Sequence, residues 1–155
     1  MTPAVKLLDK LKITYQLHQY HHDESASSYG LEAAEKLSVD SRQIFKTLVV
    51  ETETHALAVG IVPVEMQLNL KAMAKALGCK KLTMADPKKV QSTTGYVLGG
   101  VSPLGQKKRL KTVIDDGAQK FSSMFISGGK RGLEIELAPA DLAKVIGANF
   151  VAIAC

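Results

Sequence analysis

The sequence predicts an α+β domain, a curved mixed sheet or partial β-barrel with helices packed around its outside. Three observations carry that expectation. Strand-like segments outnumber helical ones, the two kinds do not alternate strictly as in a doubly wound parallel sheet, and 155 residues suffice for one hydrophobic core rather than two. One domain spanning 1–155 is therefore expected.

Taken in order, Thr2 and Pro3 read as an N-cap and first helical position, and Val5, Leu7, Leu8 and Leu11 form the apolar stripe of a helix ending near Leu11. "ITYQLHQY" alternates Ile13, Tyr15 and Leu17 against Thr14, Gln16, His18 and Tyr20, as a half-buried strand does, with His18 and Tyr20 on one face. After the polar "HHDESASSYG", "LEAAEKL" is helical by composition. "FKTLVVETETHALAVGIVP" predicts a hairpin turning near Glu51 to Thr54, with Lys46 inside its first strand. Asn69 caps the helix "LKAMAKAL", which Gly78 closes, and Asp86 with Pro87 opens another short helix. Beyond it "GYVLGGV", "KTVID", "MFIS" and "LEIEL" are strand candidates, Pro139 to Ile146 is a helix, and "FVAIA" is a last strand.

Lys and Arg exceed Asp and Glu by 20 to 15, a formal charge of +5 that favours a polyanionic partner such as nucleic acid. Cys79 and Cys155 lie far apart, and no CxxC or zinc spacing exists. "MTPAVKLLDKLK" lacks the apolar segment and cleavage site of a secretory signal, and no stretch approaches membrane-spanning length. A cytoplasmic protein with free thiols and no membrane partner is expected. His18, His21 and His22 lack an HExxH helix or cysteine partners, so they read as exposed polar residues and no metal is expected. "SGGKRG" departs from a phosphate loop at Met124 and Arg131, and "GGVSPLG" does not match GxGxxG, so no nucleotide cofactor is expected either. There is no GxSxG elbow, and neither Ser102 nor Ser127 has an obvious His/Asp pair.

Three features point toward chemistry. Lys46 sits in an otherwise apolar strand, where desolvating an ammonium is costly unless an anion or polar pocket meets it; projection to solvent is the equal alternative. Gly99 and Gly100 permit a backbone that turns its N–H groups toward a ligand, or simply a tight turn. Lys107, Lys108, Arg109 and Lys111 follow as a basic run suited to phosphate or merely solvated, and "SGGKRG" repeats the pairing of glycines with cations, Lys130 and Arg131.

"FKTL", "STTGYVLGGVSPLGQKKRLKTVID" and "SGGKRGLEIEL" followed by "APADLAKVIGA" together resemble the bacterial YbaK/EbsC proteins. These are free-standing Cys-tRNA(Pro) deacylases related to the editing insertion of prolyl-tRNA synthetase, and the resemblance covers nearly the whole chain. It implies the fold of that editing domain and removal of cysteine misattached to tRNA(Pro), with Cys-tRNA(Cys) as a further substrate. By resemblance the essential lysine is Lys46, and the substrate loop is Gly99, Gly100, Val101, Ser102 and Pro103. Other pocket positions fall on Tyr20, Tyr29, Thr47, Ser127, Gly128 and Glu134. Tyr29 stands where relatives often carry phenylalanine, and Glu134 where they often carry aspartate. Lys107, Lys108, Arg109, Lys130 and Arg131 would meet tRNA phosphates. The substrate's own thiol is implied as nucleophile, so no enzymic one is required. Removal of alanine from tRNA(Pro) by a bound water, and a non-catalytic RNA- or synthetase-binding module, stay open beside it. With sparse aromatics and no tryptophan, few stacking platforms could read tRNA bases, so prolyl-tRNA synthetase is an expected partner for delivery.

Overall fold

The computed structural model describes residues 1–24 and 29–155. The first helix, α1 (Pro3–Leu11), starts where Thr2 Oγ1 accepts the Val5 N–H, and it buries Ala4, Val5 and Leu8. Strand β1 (Gln16–Gln19) and helix α2 (Tyr29–Leu37) precede the hairpin of β2 (Phe45–Thr52) and β3 (Leu57–Pro63). Asn69 caps α3 (Leu70–Leu77) by accepting the Ala72 N–H, and Gly78 closes that helix in the left-handed region. Then come β4 (Leu82–Met84), α4 (Pro87–Thr94), β5 (Lys111–Asp115), β6 (Met124–Ser127), β7 (Leu133–Leu137), α5 (Pro139–Ile146) and β8 (Asn149–Val151).

These strands form two sheets. One is mixed, in the order β4-β2-β3-β5-β8, with the antiparallel hairpin at its centre and β5 and β8 added in parallel. The other is the antiparallel set β1-β7-β6. They meet at the isolated bridge between Ile44 and Phe125, and among the described residues neither sheet closes into a barrel. The α+β class and external helices therefore stand, while the single curved sheet becomes two.

Strand β3 explains why the larger sheet is covered on both faces. Val59 and Ile61 pack into one core with α1, α4, α5 and the smaller sheet, while Ala58 and Val62 pack into a second core beneath Met73 and Ala74 of α3. A strand buried on both sides reads as an unbroken apolar run, as "LAVGIVP" does.

Two expected strands change. "GYVLGGV" is not a strand: Gly95 ends α4 with a positive φ of 84°, Gly99 has φ 88°, and the Gly100 N–H turns back onto the Val97 carbonyl at 3.0 Å. Alternating apolar residues could not outweigh two left-handed glycines. "FVAIA" pairs with β5 at Phe150 and Val151 and no further, with Ala154 bridging Leu68, because the Asp115 carboxylate takes the N–H groups of Ile153 and Ala154 instead. His18 and His22 are likewise not simply exposed. His18 Nε2 lies 2.9 Å from Glu136 and its ring tilts against Phe125, while His22 Nδ1 lies 2.8 Å from Glu32.

Candidate active site

Beyond the Ile44–Phe125 bridge the two sheets part, and the gap becomes a cavity of about 330 Å³. Its β2 wall is a strand edge. The ladder to β3 places the Ile44 carbonyl toward β3, where it accepts the Val64 N–H, and the Val49 carbonyl toward the other edge, where Ala85 donates to it. Alternation then turns the Thr47 N–H and C=O into the gap, and β4 pairs only with Val50 to Thr52, too far along to cover them. Lys46, Thr47 and Leu48 line this side.

Lys46 has no hydrogen-bond or ion-pair partner among the described residues, and partial burial holds its ammonium below the usual lysine range. The Thr47 hydroxyl is buried without a hydrogen-bond partner. Opposite, Glu134 of β7 sits between His18 of β1 and Ser127 of β6. It is 8% exposed, and burial pushes its carboxyl up to about 8. Its neighbour on the same face, Glu136, has another fate. Burial raises that carboxyl, but hydrogen bonds from Ser123 at 2.6 Å and His18 outweigh it and leave Glu136 below the usual carboxylate range. Tyr20 completes this wall; burial first, then the charges of Glu134 and Glu32, push its phenol up to about 12, so it stays protonated.

Two glycine loops form the remaining wall, and they touch. A Cβ added to Gly100 would lie 2.9 Å from the Lys130 Cα, so only glycine lets the "GGVSP" backbone pack on the "SGGKRG" backbone. Gly99, Val101, Ser127, Lys130 and Arg131 line the cavity. The Gly99 N–H has no acceptor among the described residues, whereas the Gly100 N–H is spent on Val97. Gly99 is therefore available for an oxyanion and Gly100 is not.

Other expected positions lie behind this wall. Ser102 is fully buried and its Oγ accepts the Leu104 N–H, Pro103 is buried beside it, and Gly128 packs on Leu133. They shape the loops without lining the cavity. The Tyr29 side chain lies outside the described residues. Lys107, Lys108 and Arg109 are exposed and do not line this cavity. Sequence reasoning missed Gly30, Ile44, Phe45, Leu48, Val64 and Leu98 as lining residues. For Leu98 a signal existed: it is 52% exposed, an apolar side chain directly before the paired glycines.

In chemical terms the cavity offers an unpaired cation, a neutral carboxylic acid, an unmet hydroxyl, a protonated phenol and a free backbone N–H. That set binds a polar, partly anionic group and can stabilise charge developing on an oxygen.

A model of the aminoacyl-tRNA editing domain matches residues 23–145. EbsC of Enterococcus faecalis, provisionally named a Cys-tRNA(Pro)/Cys-tRNA(Cys) deacylase, is 36% identical over 152 residues, covering 98% of this chain and 92% of that protein. The prolyl-tRNA editing protein ProX of Acetoanaerobium sticklandii is 27% identical over 154 residues, covering 94% and 90%. A solved structure provisionally described as a trans-editing enzyme for prolyl-tRNA synthetase superposes with a TM-score of 0.85 at 22% identity, covering 99% of this chain and 98% of that one, and so shares its fold. With a family match over most of its length and a close relative along nearly all of it, the chain belongs to the aminoacyl-tRNA editing domain family.

Proposed function

We infer that the protein is a trans-acting deacylase that frees tRNA(Pro) from misattached cysteine, with Cys-tRNA(Cys) as a further substrate. It acts as a single free-standing domain in the cytoplasm, where translation supplies the substrate, and prolyl-tRNA synthetase is the partner that delivers it. One observation carries this reading. A cation, a buried carboxylic acid and a hydroxyl, none with a hydrogen-bond or ion-pair partner among the described residues, surround one cavity beside a glycine amide without an acceptor.

The need for such a site follows from size. A synthetase pocket that accepts proline cannot exclude cysteine by binding alone, because a difference of one small group is worth only about 1–3 kcal/mol. The ester is then removed by positioning. The substrate's sulfur attacks its own acyl carbon, the S–C bond forms as the ester C–O bond breaks, and the thiol's proton ends on the departing ribose oxygen. A cyclic thioester leaves, which water opens to cysteine. Holding sulfur and carbonyl in place supplies the acceleration, with effective molarities reaching about 10⁵ M or more in well-oriented cases.

Each lining group has a place in that scheme. Lys46 holds the terminal nucleotide through its phosphate or ribose. The Gly99 N–H faces the acyl oxygen as charge grows on it. Glu134, neutral at pH 7, donates a hydrogen bond that a carboxylate could not. Lys130 and Arg131 receive backbone phosphates at the mouth. Tyr20, Thr47 and Ser127 complete the polar lining.

The test is release of amino acid from Cys-tRNA(Pro), Cys-tRNA(Cys), Ala-tRNA(Pro) and S-methylcysteinyl-tRNA(Pro). Cysteine should be released, and the S-methyl and alanyl esters should persist. Equal release of alanine would replace thiol attack with a bound water, and release of nothing would reduce the protein to a binding module.

A further inference from the structure

The loop carrying Gly99 has a tip and a neck. Lys107 N–H donates to the Thr94 carbonyl at 3.0 Å and Lys108 N–H to Thr93 at 3.2 Å, so residues 95–106 leave and rejoin the fold at one place. At the tip, Leu98 and Gly99 border the cleft. Beside the neck lies a separate groove of about 330 Å³, lined among others by His55, Lys89, Thr93, Lys108, Arg109 and Lys111. Its cations come from α4 and from the segment entering β5, with the His55 ring of the β2–β3 turn beside them, and no carboxylate among the described residues lines it.

One of these charges is already answered: Glu51 lies 2.8 Å from Lys89, and it also lies 2.9 Å from the His55 ring. Lys108, Arg109 and Lys111 are not, since none has an ion-pair partner among the described residues. The Arg109 guanidinium also lies close to the end of α5. A Cβ on Gly147, where α5 ends, would come within 2.6 Å of its guanidinium. Cations gathered in one concavity repel one another and raise the local concentration of anions.

We propose that this groove is a second anchoring surface for tRNA, gripping its phosphate backbone at the loop's neck while the 3′ end occupies the cleft at the loop's tip. The proposal rests on the deacylase reading of the cleft and adds a surface that does not touch the reacting ester. A nucleic acid fits better than an acidic protein for a geometric reason. The cleft's own substrate is a polyanion that must leave the cavity across adjoining surface, and this loop connects the two places.

Lys108→Glu, Arg109→Glu and Lys111→Glu combined provide the test, since all three side chains are exposed. Cleavage of full-length Cys-tRNA(Pro) is compared with that of a cysteinylated acceptor-end oligonucleotide, over a series of salt concentrations. On full-length tRNA, KM should rise roughly tenfold or more at low salt with kcat little changed, and the salt slope should fall by about 2 to 3 as three phosphate contacts are lost. The short ester should be affected less than about twofold, since it cannot reach the neck. Unchanged KM and slope on tRNA, or equal losses on both substrates, would overturn the proposal. Should wild-type protein cleave neither ester, the deacylase reading fails. Fluorescence anisotropy with labelled, uncharged tRNA(Pro) then still decides the groove, weaker binding by the variant supporting it and equal binding overturning it. A variant that binds tRNA normally but no longer co-elutes with prolyl-tRNA synthetase would assign the groove to a protein instead.

Discussion

The cleft and the basic groove lie at the tip and the neck of one loop and enclose similar volumes of about 330 Å³, yet they use charge in different ways. In the cleft a half-buried lysine, an almost fully buried glutamic acid and a buried hydroxyl lack hydrogen-bond and ion-pair partners among the described residues. In the groove, cations stand exposed with one carboxylate, Glu51, nearby. Interactions between partly buried charges are strong and little screened, whereas those of exposed charges are screened beyond about 10 Å at 0.1 M salt. On the proposed reading the cleft governs turnover and the groove governs capture.

The same contrast appears within β7. Glu134 and Glu136 share a face two residues apart, but Ser123 and His18 satisfy only the second. Removing partners leaves Glu134 neutral near pH 7, and supplying them keeps Glu136 ionised.

Lys46→Ala is the sharpest way to break the division. It should lower kcat/KM for Cys-tRNA(Pro) by roughly 10² or more at any salt, while stability changes by less than about 0.5 kcal/mol, since no protein contact of its charge is lost. Salt-dependent loss in deacylation assays would instead group Lys46 with the groove.

Gly100→Ala should come next. Its Cβ would sit 2.9 Å from the Lys130 Cα, so the two loops must separate. Thermal denaturation should show a loss of about 1–3 kcal/mol, together with slower turnover. Wild-type stability and rate would mean that the loops need not be in contact.

Glu134→Gln tests the buried acid. Because the folded carboxyl is raised to about 8 from its ordinary 4.5, folding takes up a proton between those values, so this group's stabilisation is full at low pH and is lost as pH rises through about 8. Wild type minus variant should lose at most about 1.4 kcal/mol per pH unit across that window. In rate profiles the amide keeps a donor, so the variant should remain active and lack the alkaline decline of wild type near pH 8. Parallel profiles would show that Glu134 carries no proton of consequence.

Thr47→Val carries the smallest effect. Replacing an unmet buried hydroxyl by a methyl group of the same shape should leave stability unchanged or raise it by up to about 1 kcal/mol, while weakening substrate binding. A loss of stability in chemical denaturation would reveal a structural role.

The cleft was more legible in the sequence than the groove. Lys46 in an apolar strand and glycines beside cations were visible as residue types whose cost demands a reason. Their roles were not separable, because "GGVSP" gives no sign that the Gly99 amide is free while that of Gly100 bonds Val97. The basic run was visible too, but as neighbours of the glycines in sequence; the chain's return to Thr93 and Thr94 moves it away from the cleft.

The amino-acid sequence by itself determined the helix caps at Thr2, Asn69 and Asp86 and the β2–β3 hairpin, because each depends on residues close together along the chain. Only the tertiary structure decided that the strands divide into two sheets, that the gap between them leaves Lys46, Thr47 and Glu134 without hydrogen-bond partners among the described residues, and that one loop separates a cavity from a basic surface. Those outcomes depend on contacts between distant segments, where a partner's presence or absence sets the charge and the chemistry of a side chain that the sequence can only name.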